Sequence, residues 1–179
     1  MRLKLIPLLL LFPLIASAQM YKTTQGTVKF ISDAPLELIQ AQSGKLTGLL
    51  NTSDRSFAFS ITMLSFEGFN SSLQRTHFNE NYVESSKFPN ATFEGKIIEE
   101  INFSNPGEYD VRGKGKFTIH GVDQVRIIKC HLVVQKNAII IRSKFSVLLA
   151  DHNIKIPTIV SKKITEEIAV ELNTTLNPK

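Results

Sequence analysis

The chain has 179 residues, a formal net charge of +5 and a single cysteine. That length fits one domain with a core large enough to stand without staples, and a lone Cys130 excludes an internal disulfide framework. The charges are scattered, with no run of five of one sign, which excludes the basic stripe that nucleic-acid binding requires.

Arg2 and Lys4 precede an apolar run from Leu5 to Ile15, and Ala16-Ser17-Ala18 follows as a small-residue cleavage site. The run is too short for a bilayer core of roughly 30 Å. The pattern predicts a signal peptide over 1–18, cleavage near Ala18, and a mature domain over 19–179 in the periplasm or secreted. Loss of Arg2 and Lys4 lowers the net charge to +3. That leaves room for no more than a transient contact with an anionic membrane surface. A homodimer is neither required nor excluded.

From Thr27 the pattern has mostly period two, the mark of half-buried strands. Val28 to Ile31 reads as a short strand, broken by Asp33-Ala34-Pro35. Leu36 to Ala41 reads equally as strand or helical turn. Lys45 to Leu50 puts Leu46, Gly48 and Leu50 on one face, and Ser56 to Ile61 does the same with Phe57, Phe59 and Ile61. Ser71 and Gln74 form a capping box for one short helix, which places Leu73 and His77 on a shared face beside Phe78. Pro89 ends any helix before Phe88.

Strands resume at Ala91, with Phe93, Gly95 and Ile97 on one face. Asn105-Pro106-Gly107 marks a turn. Tyr109 to Ile119 is a long strand with Tyr109, Val111, Phe117 and Ile119 on one side and Gly113 and Gly115 in its middle. His120-Gly121 turns the chain into Val122 to Val134, whose pattern slips at Ile127-Ile128 and predicts a bulge. Ala138 to Leu149 pairs back after Lys136-Asn137. Asp151-His152-Asn153 is a break, and Ile154 to Ile159 a connection containing proline. Lys163 to Leu172 is a last strand with Ile164, Ile168, Val170 and Leu172 as its apolar set, although Thr165-Glu166-Glu167 also tolerates a helical start.

About eight strands on hairpin-like spacing predict an all-β fold: an antiparallel barrel with one short helix, closed so as to hide its edges. Side chains fill the interior of such a barrel, or it holds one small ligand. Two stretches resemble the YceI-like family of lipocalin-like barrels. One is His77-Phe78 through Lys87-Phe88-Pro89-Asn90-Ala91-Thr92-Phe93. The other is Tyr109 to Gly113 followed by Gly115-Lys116-Phe117-Thr118-Ile119-His120-Gly121-Val122. The resemblance spans roughly Thr27 to Leu172. It implies a lipocalin-like barrel with a hydrophobic tunnel and an apolar lipid ligand, a polyisoprenoid or isoprenoid quinone.

Twelve Phe against no Trp and three Tyr suits an apolar container. The candidate ligand-binding set is Phe57, Phe59, Phe66, Phe69, Leu73, His77, Phe78, Phe88, Phe93, Tyr109, Phe117, Ile119 and Phe145. His77, Arg75 and Arg112 are candidates for orienting a head group. His77, His120, His131 and His152 show no metal-ligand spacing, so neither a metal nor a cofactor is expected. His77 and His120 lie in the family-like stretches and are expected to approach each other. Cys130 reads as a buried, inert thiol. No nucleophile elbow or carboxylate dyad occurs, so no catalytic residue is assigned. The reading is an exported lipid-binding protein. A lipid isomerase or cyclase working in the same cavity, and an interaction module with a filled core, stand as alternatives.

Overall fold

A computed structural model describes residues 20–179; the expected leader and its cleavage site lie outside the described residues. Eight antiparallel strands close into a barrel in sequence order. They are β1 Met20–Ala34, β2 Glu37–Asn51, β3 Ser56–Thr62, β4 Asn90–Ile97, β5 Gly107–Ile119, β6 Val122–Gln135, β7 Ala138–Leu148 and β8 Glu167–Pro178. Pairing of β1 with β8 completes the ring, so every edge is satisfied internally. Period-two alternation puts apolar side chains inside. On β5, Val111, Gly113 and Phe117 face in, while Glu108, Asp110, Arg112, Lys114 and Lys116 face solvent.

Three strands differ markedly in extent from the sequence reading. β1 begins seven residues before Thr27, and Asp33-Ala34-Pro35 is the tip of a hairpin, with Ala34 opposite Glu37. Leu36 to Ala41 is therefore strand from Glu37 on, not helical turn. β8 runs to Pro178 because Thr174 and Leu176 are buried past Leu172, and Ile164 precedes the strand in a turn.

The bulge expected at Ile127-Ile128 is absent: the β5–β6 ladder runs unbroken from Gly107 opposite Val134 to Ile119 opposite Val122. The pattern slips there because Val125 and Ile127 are apolar yet point outward, 74% and 54% exposed. The register shifts lie instead in β1, between Thr23 and Gly26 and between Gly26 and Val28. There a β-carbon on Gly26 would meet Thr174 Oγ1 at 2.6 Å, and Thr174 donates a hydrogen bond to Thr23 at 2.9 Å.

One end of the barrel is plugged by Tyr21, Leu50, Leu132, Ile139 and Leu176, all nearly fully buried. The other end carries the two longest connections and a tight turn. The first holds α1 (Ser72–His77), which runs into a π-helical turn at Phe78–Tyr82. Ser71 Oγ accepts from Gln74 N at 3.2 Å, as a capping box requires. The return bond reaches one residue further back, from Asn70 N to Gln74 Oε1 at 3.0 Å. The second is the β5–β6 turn, where His120 and Gly121 both take positive φ, 53° and 70°. That is the demand of a type I′ hairpin. The third is the segment between β7 and β8, with short 3₁₀ turns at Leu149–His152 and Thr158–Val160.

His120 ties these three connections together. Its Nδ1 lies 3.0 Å from the His152 carbonyl and its Nε2 lies 2.8 Å from Glu84 Oε2. Both partners are acceptors, so the ring makes both bonds at once only when doubly protonated. Lys87 and then His120 hold the Glu84 carboxyl below the usual range. His152 is fully buried, donates from Nδ1 to the Val122 carbonyl at 3.2 Å, and leaves Nε2 without a partner. Desolvation pushes its imidazole below the ordinary value of 6.5.

Two outcomes follow for stability. Gly95 and Gly115 face each other across β4 and β5, and a β-carbon on Gly95 would meet the Lys114 carbonyl oxygen at 2.1 Å. Gly95→Ala should lower the unfolding free energy by about 1–3 kcal/mol in a denaturant titration. Gly44→Ala, with nothing within 4 Å, should show no such packing loss. Because the fold favours neutral His152, stability should be full above about pH 6.5 and fall as the pH drops below it, where the unfolded chain takes the proton first. A pH series of melting curves should show that slope, and His152→Gln should flatten it.

Candidate functional site

The inner faces of the strands enclose a cavity of about 510 Å³. That size lies within the range of small-molecule sites, roughly 300–1,000 Å³. Residues from all eight strands line it, and the connections at the open end complete its upper wall.

Aromatic rings set its shape in two groups. Deep in the barrel, Phe57 packs on Phe93 at 4.9 Å and on Phe59 at 6.0 Å between centroids. Phe117 meets Phe93 at 6.0 Å and Phe145 at 5.9 Å, both edge-on. Glycines make room for this girdle. The Phe59 ring covers Gly48, and Phe57 and Phe93 lie over Gly113.

At the open end Phe30, Phe66, Phe69 and Phe78 form a second group. Phe30 stacks on Phe78 at 5.3 Å and 19°, and Phe69 lies 5.2 Å from Phe78. The α1 cap and the π-turn after it decide this arrangement, since together they carry Phe78 inward over β1.

Polar side chains in the wall are mostly occupied. Ser143 Oγ donates to the Lys129 carbonyl at 2.7 Å, and Ser32 Oγ accepts from Thr165 N at 3.0 Å. Cys130 also lines the wall, and burial pushes its thiol up, away from the thiolate that nucleophilic chemistry requires. The remaining polar lining groups are Ser60 and Thr92 on the strands, and Glu37, Ser71, Gln74, His77, Tyr82 and Lys163 on the connections or strand ends of the open end. Gln74 Nε2 donates to Glu37 Oε1 at 2.5 Å. Burial raises the Tyr82 phenol.

Eleven of the thirteen candidate residues face this space: Phe57, Phe59, Phe66, Phe69, Leu73, His77, Phe78, Phe93, Phe117, Ile119 and Phe145. Phe88 does not. It packs outside the cavity against His120, at 4.9 Å, and over Gly121. Tyr109 is not in the wall either, because it sits in the plug at the closed end with its hydroxyl donating to the Asn105 carbonyl at 3.0 Å. His77 and His120 are not partners: His77 lines the cavity, whereas His120 is engaged by Glu84 and His152. Arg112 faces outward and pairs with Glu99 at 2.7 Å, so it cannot orient a head group inside. Arg75 donates to the Leu64 carbonyl at 3.2 Å.

Sequence reasoning missed Phe30, the centre of the open-end group, and the roof formed by Leu149, Ile154, Val160 and Ile164. The alternation Val28, Phe30, Ser32, Ala34 carried the first signal. The roof has none, because its apolar residues follow no period.

No curated protein matches the chain. Among solved structures, a polyisoprenoid binding domain from Saccharophagus degradans, implicated in plant cell wall breakdown, superposes with a TM-score of 0.76 at 12% identity, covering 91% of this chain and 100% of that one. Burkholderia cenocepacia BcnA gives 0.68 at 14% identity, covering 84% and 95%. A Campylobacter jejuni YCEI protein gives 0.56 at 17%, covering 73% and 78%. At these identities the likeness is one of fold. The model for the YceI-like domain matches residues 16–176, nearly the whole sequence, and with the closed eight-stranded barrel this places the chain in the YceI-like family.

Proposed function

We propose that the protein holds a long apolar lipid of isoprenoid type in the barrel and carries it outside the cytoplasm, with no covalent chemistry. The observation that carries this reading is the cavity itself. It is blind at the plugged end, walled by aromatic and aliphatic side chains, and polar mainly around its open end. An isoprenoid chain offers methyl groups and double bonds but almost no hydrogen-bonding groups, so a mostly apolar wall suits it. The polyisoprenoid binding domain from Saccharophagus degradans shares this fold. The expected leader supports a periplasmic or secreted setting.

The cavity speaks against a filled-core interaction module. Against an isomerase or cyclase stands the chemistry of the wall. Its two shifted titratable groups, Cys130 and Tyr82, are both pushed toward their neutral forms.

Native mass spectrometry of protein purified from a bacterial periplasm, followed by organic extraction, should find a quinone or polyprenyl lipid at one per chain. A chain that stays empty when isoprenoid quinones are offered would rule the carrier reading out. Phe78→Ala opens the ring group over the cavity, so it should speed release of a fluorescent polyprenyl probe several-fold while leaving the barrel's circular dichroism intact. Ala91→Phe adds bulk to a buried wall position and should lower the amount of probe bound at saturation.

A further inference from the structure

The β6–β7 ladder stops partway. It runs from Gln135 opposite Ala138 to Cys130 opposite Ser143 and ends there. The same register would next set Lys129 against Lys144, Ile127 against Ser146 and Val125 against Leu148, and none of these pairs forms. The outer neighbours do not stop with it. β5 follows β6 as far as Val122, and β8 follows β7 as far as Leu148. Two ordered strands thus run on with a seam between them.

Side chains lace the seam. At its foot Ser143 Oγ donates to the Lys129 carbonyl at 2.7 Å. Above it the Arg126 guanidinium donates to the Ser146 carbonyl, and Gln124 Nε2 donates to the Asp151 carbonyl, both at 2.8 Å. His152 closes the top through the Val122 carbonyl. The barrel's own side chains stand in for the ladder here. Arg126 and Gln124 alternate along β6 with Ile128, which lines the cavity, yet neither of them is in its wall. Their bonds exchange with water at little net cost, so the lacing can open without unfolding either strand.

Both sides of the seam are apolar. Inside, Ile128 on β6 and Phe145 and Val147 on β7 line the cavity. Outside, Val125, Ile127 and Leu148 are left in solvent. These three stand at the positions where pairing is missing. Apolar surface therefore leads from the flank of the barrel to the cavity, interrupted by Arg126 and Gln124.

We propose that this seam is a side passage for the lipid tail, with Arg126 and Gln124 as its latch. The inference rests on the carrier reading and names a route its ligand takes. A tail sliding in sideways meets Val125, Ile127 and Leu148 first, then Ile128, Phe145 and Val147. It passes from one apolar contact to the next with little of its length in bulk water.

The test is stopped-flow uptake and release of a fluorescent polyprenol. Arg126→Ala with Gln124→Ala should raise both rates at least fivefold and leave the circular dichroism unchanged. In a Cys130→Ser background, Ile127→Cys with Ser146→Cys, bridged by a short bis-methanethiosulfonate, should slow both rates at least tenfold, and a reductant should restore them. Val133→Cys with Ile140→Cys, bridged in the same way across the paired half of the ladder, should leave the rates unchanged. Rates untouched by the seam bridge, or slowed equally by both bridges, overturn the side passage. A latch variant no faster than the unaltered protein overturns the role of Arg126 and Gln124. A dimer in sedimentation that Val125→Asp with Ile127→Asp splits, with both rates unchanged, assigns the apolar flank to a second copy and overturns the passage as well. No uptake by the unaltered protein identifies a failure of the carrier reading instead, and removes the ground on which the passage rests.

Discussion

Pairing of the first strand with the last is the constraint on which the rest depends. β1 meets β8 along Thr27 to Ile31, and again at Tyr21 and Lys22. Between these stretches β1 shifts register, and the Thr174–Thr23 hydrogen bond fills the irregularity. Without that closure the sheet would expose two edges, and its inner face would have to find another layer to cover it. With it, the inner face covers itself. An eight-stranded ring leaves an interior that side chains can just fill. Whether space remains therefore depends on which side chains point in.

In this chain the inward positions combine large rings with glycines. Gly48 lies under Phe59, and Gly113 lies under Phe57 and Phe93. A ring that lies flat over a neighbouring glycine hugs the wall instead of reaching across the barrel. The wall stays smooth, and the middle stays open. Aliphatic residues close the plugged end, where Leu50, Leu132, Ile139 and Leu176 meet. One sequence thus builds a solid floor and a hollow shaft, with no change of fold between them.

Much of this was legible because closure and alternation are period-two properties. The inward set on β3, β4 and β5 was readable directly, since Phe57, Phe93 and Phe117 sit on strands whose outward residues are polar. Reading failed where apolar side chains break the rule for a surface reason. Val125 and Ile127 point outward between charged neighbours, and a pattern reader takes them for a slipped register. Tyr109 has the right parity for the cavity but the wrong height, because parity says nothing about position along the barrel axis. Phe88 belongs to a connection, where no period applies, and its partner is the left-handed turn at His120-Gly121. The roof over the open end was invisible for the same reason.

The split between wall and rim also bears on how a ligand would be chosen. Two hydroxyls in the wall are occupied by backbone groups, Ser143 by Lys129 and Ser32 by Thr165. A ligand atom there meets mainly dispersion and apolar burial, worth about 25 cal/mol per Å² with no preferred direction. Such a wall discriminates by length and girth and is nearly blind to where a double bond or methyl lies. Directional contacts are concentrated at the opening, in Glu37, Gln74, His77 and Lys163. The Glu37–Gln74 bond already satisfies one pair there, so a head group must either displace it or bind beside it. For the proposed lipid, tail and head would therefore be selected by different segments of the chain. The strands fix the first, and the connections, free to vary without disturbing closure, set the second.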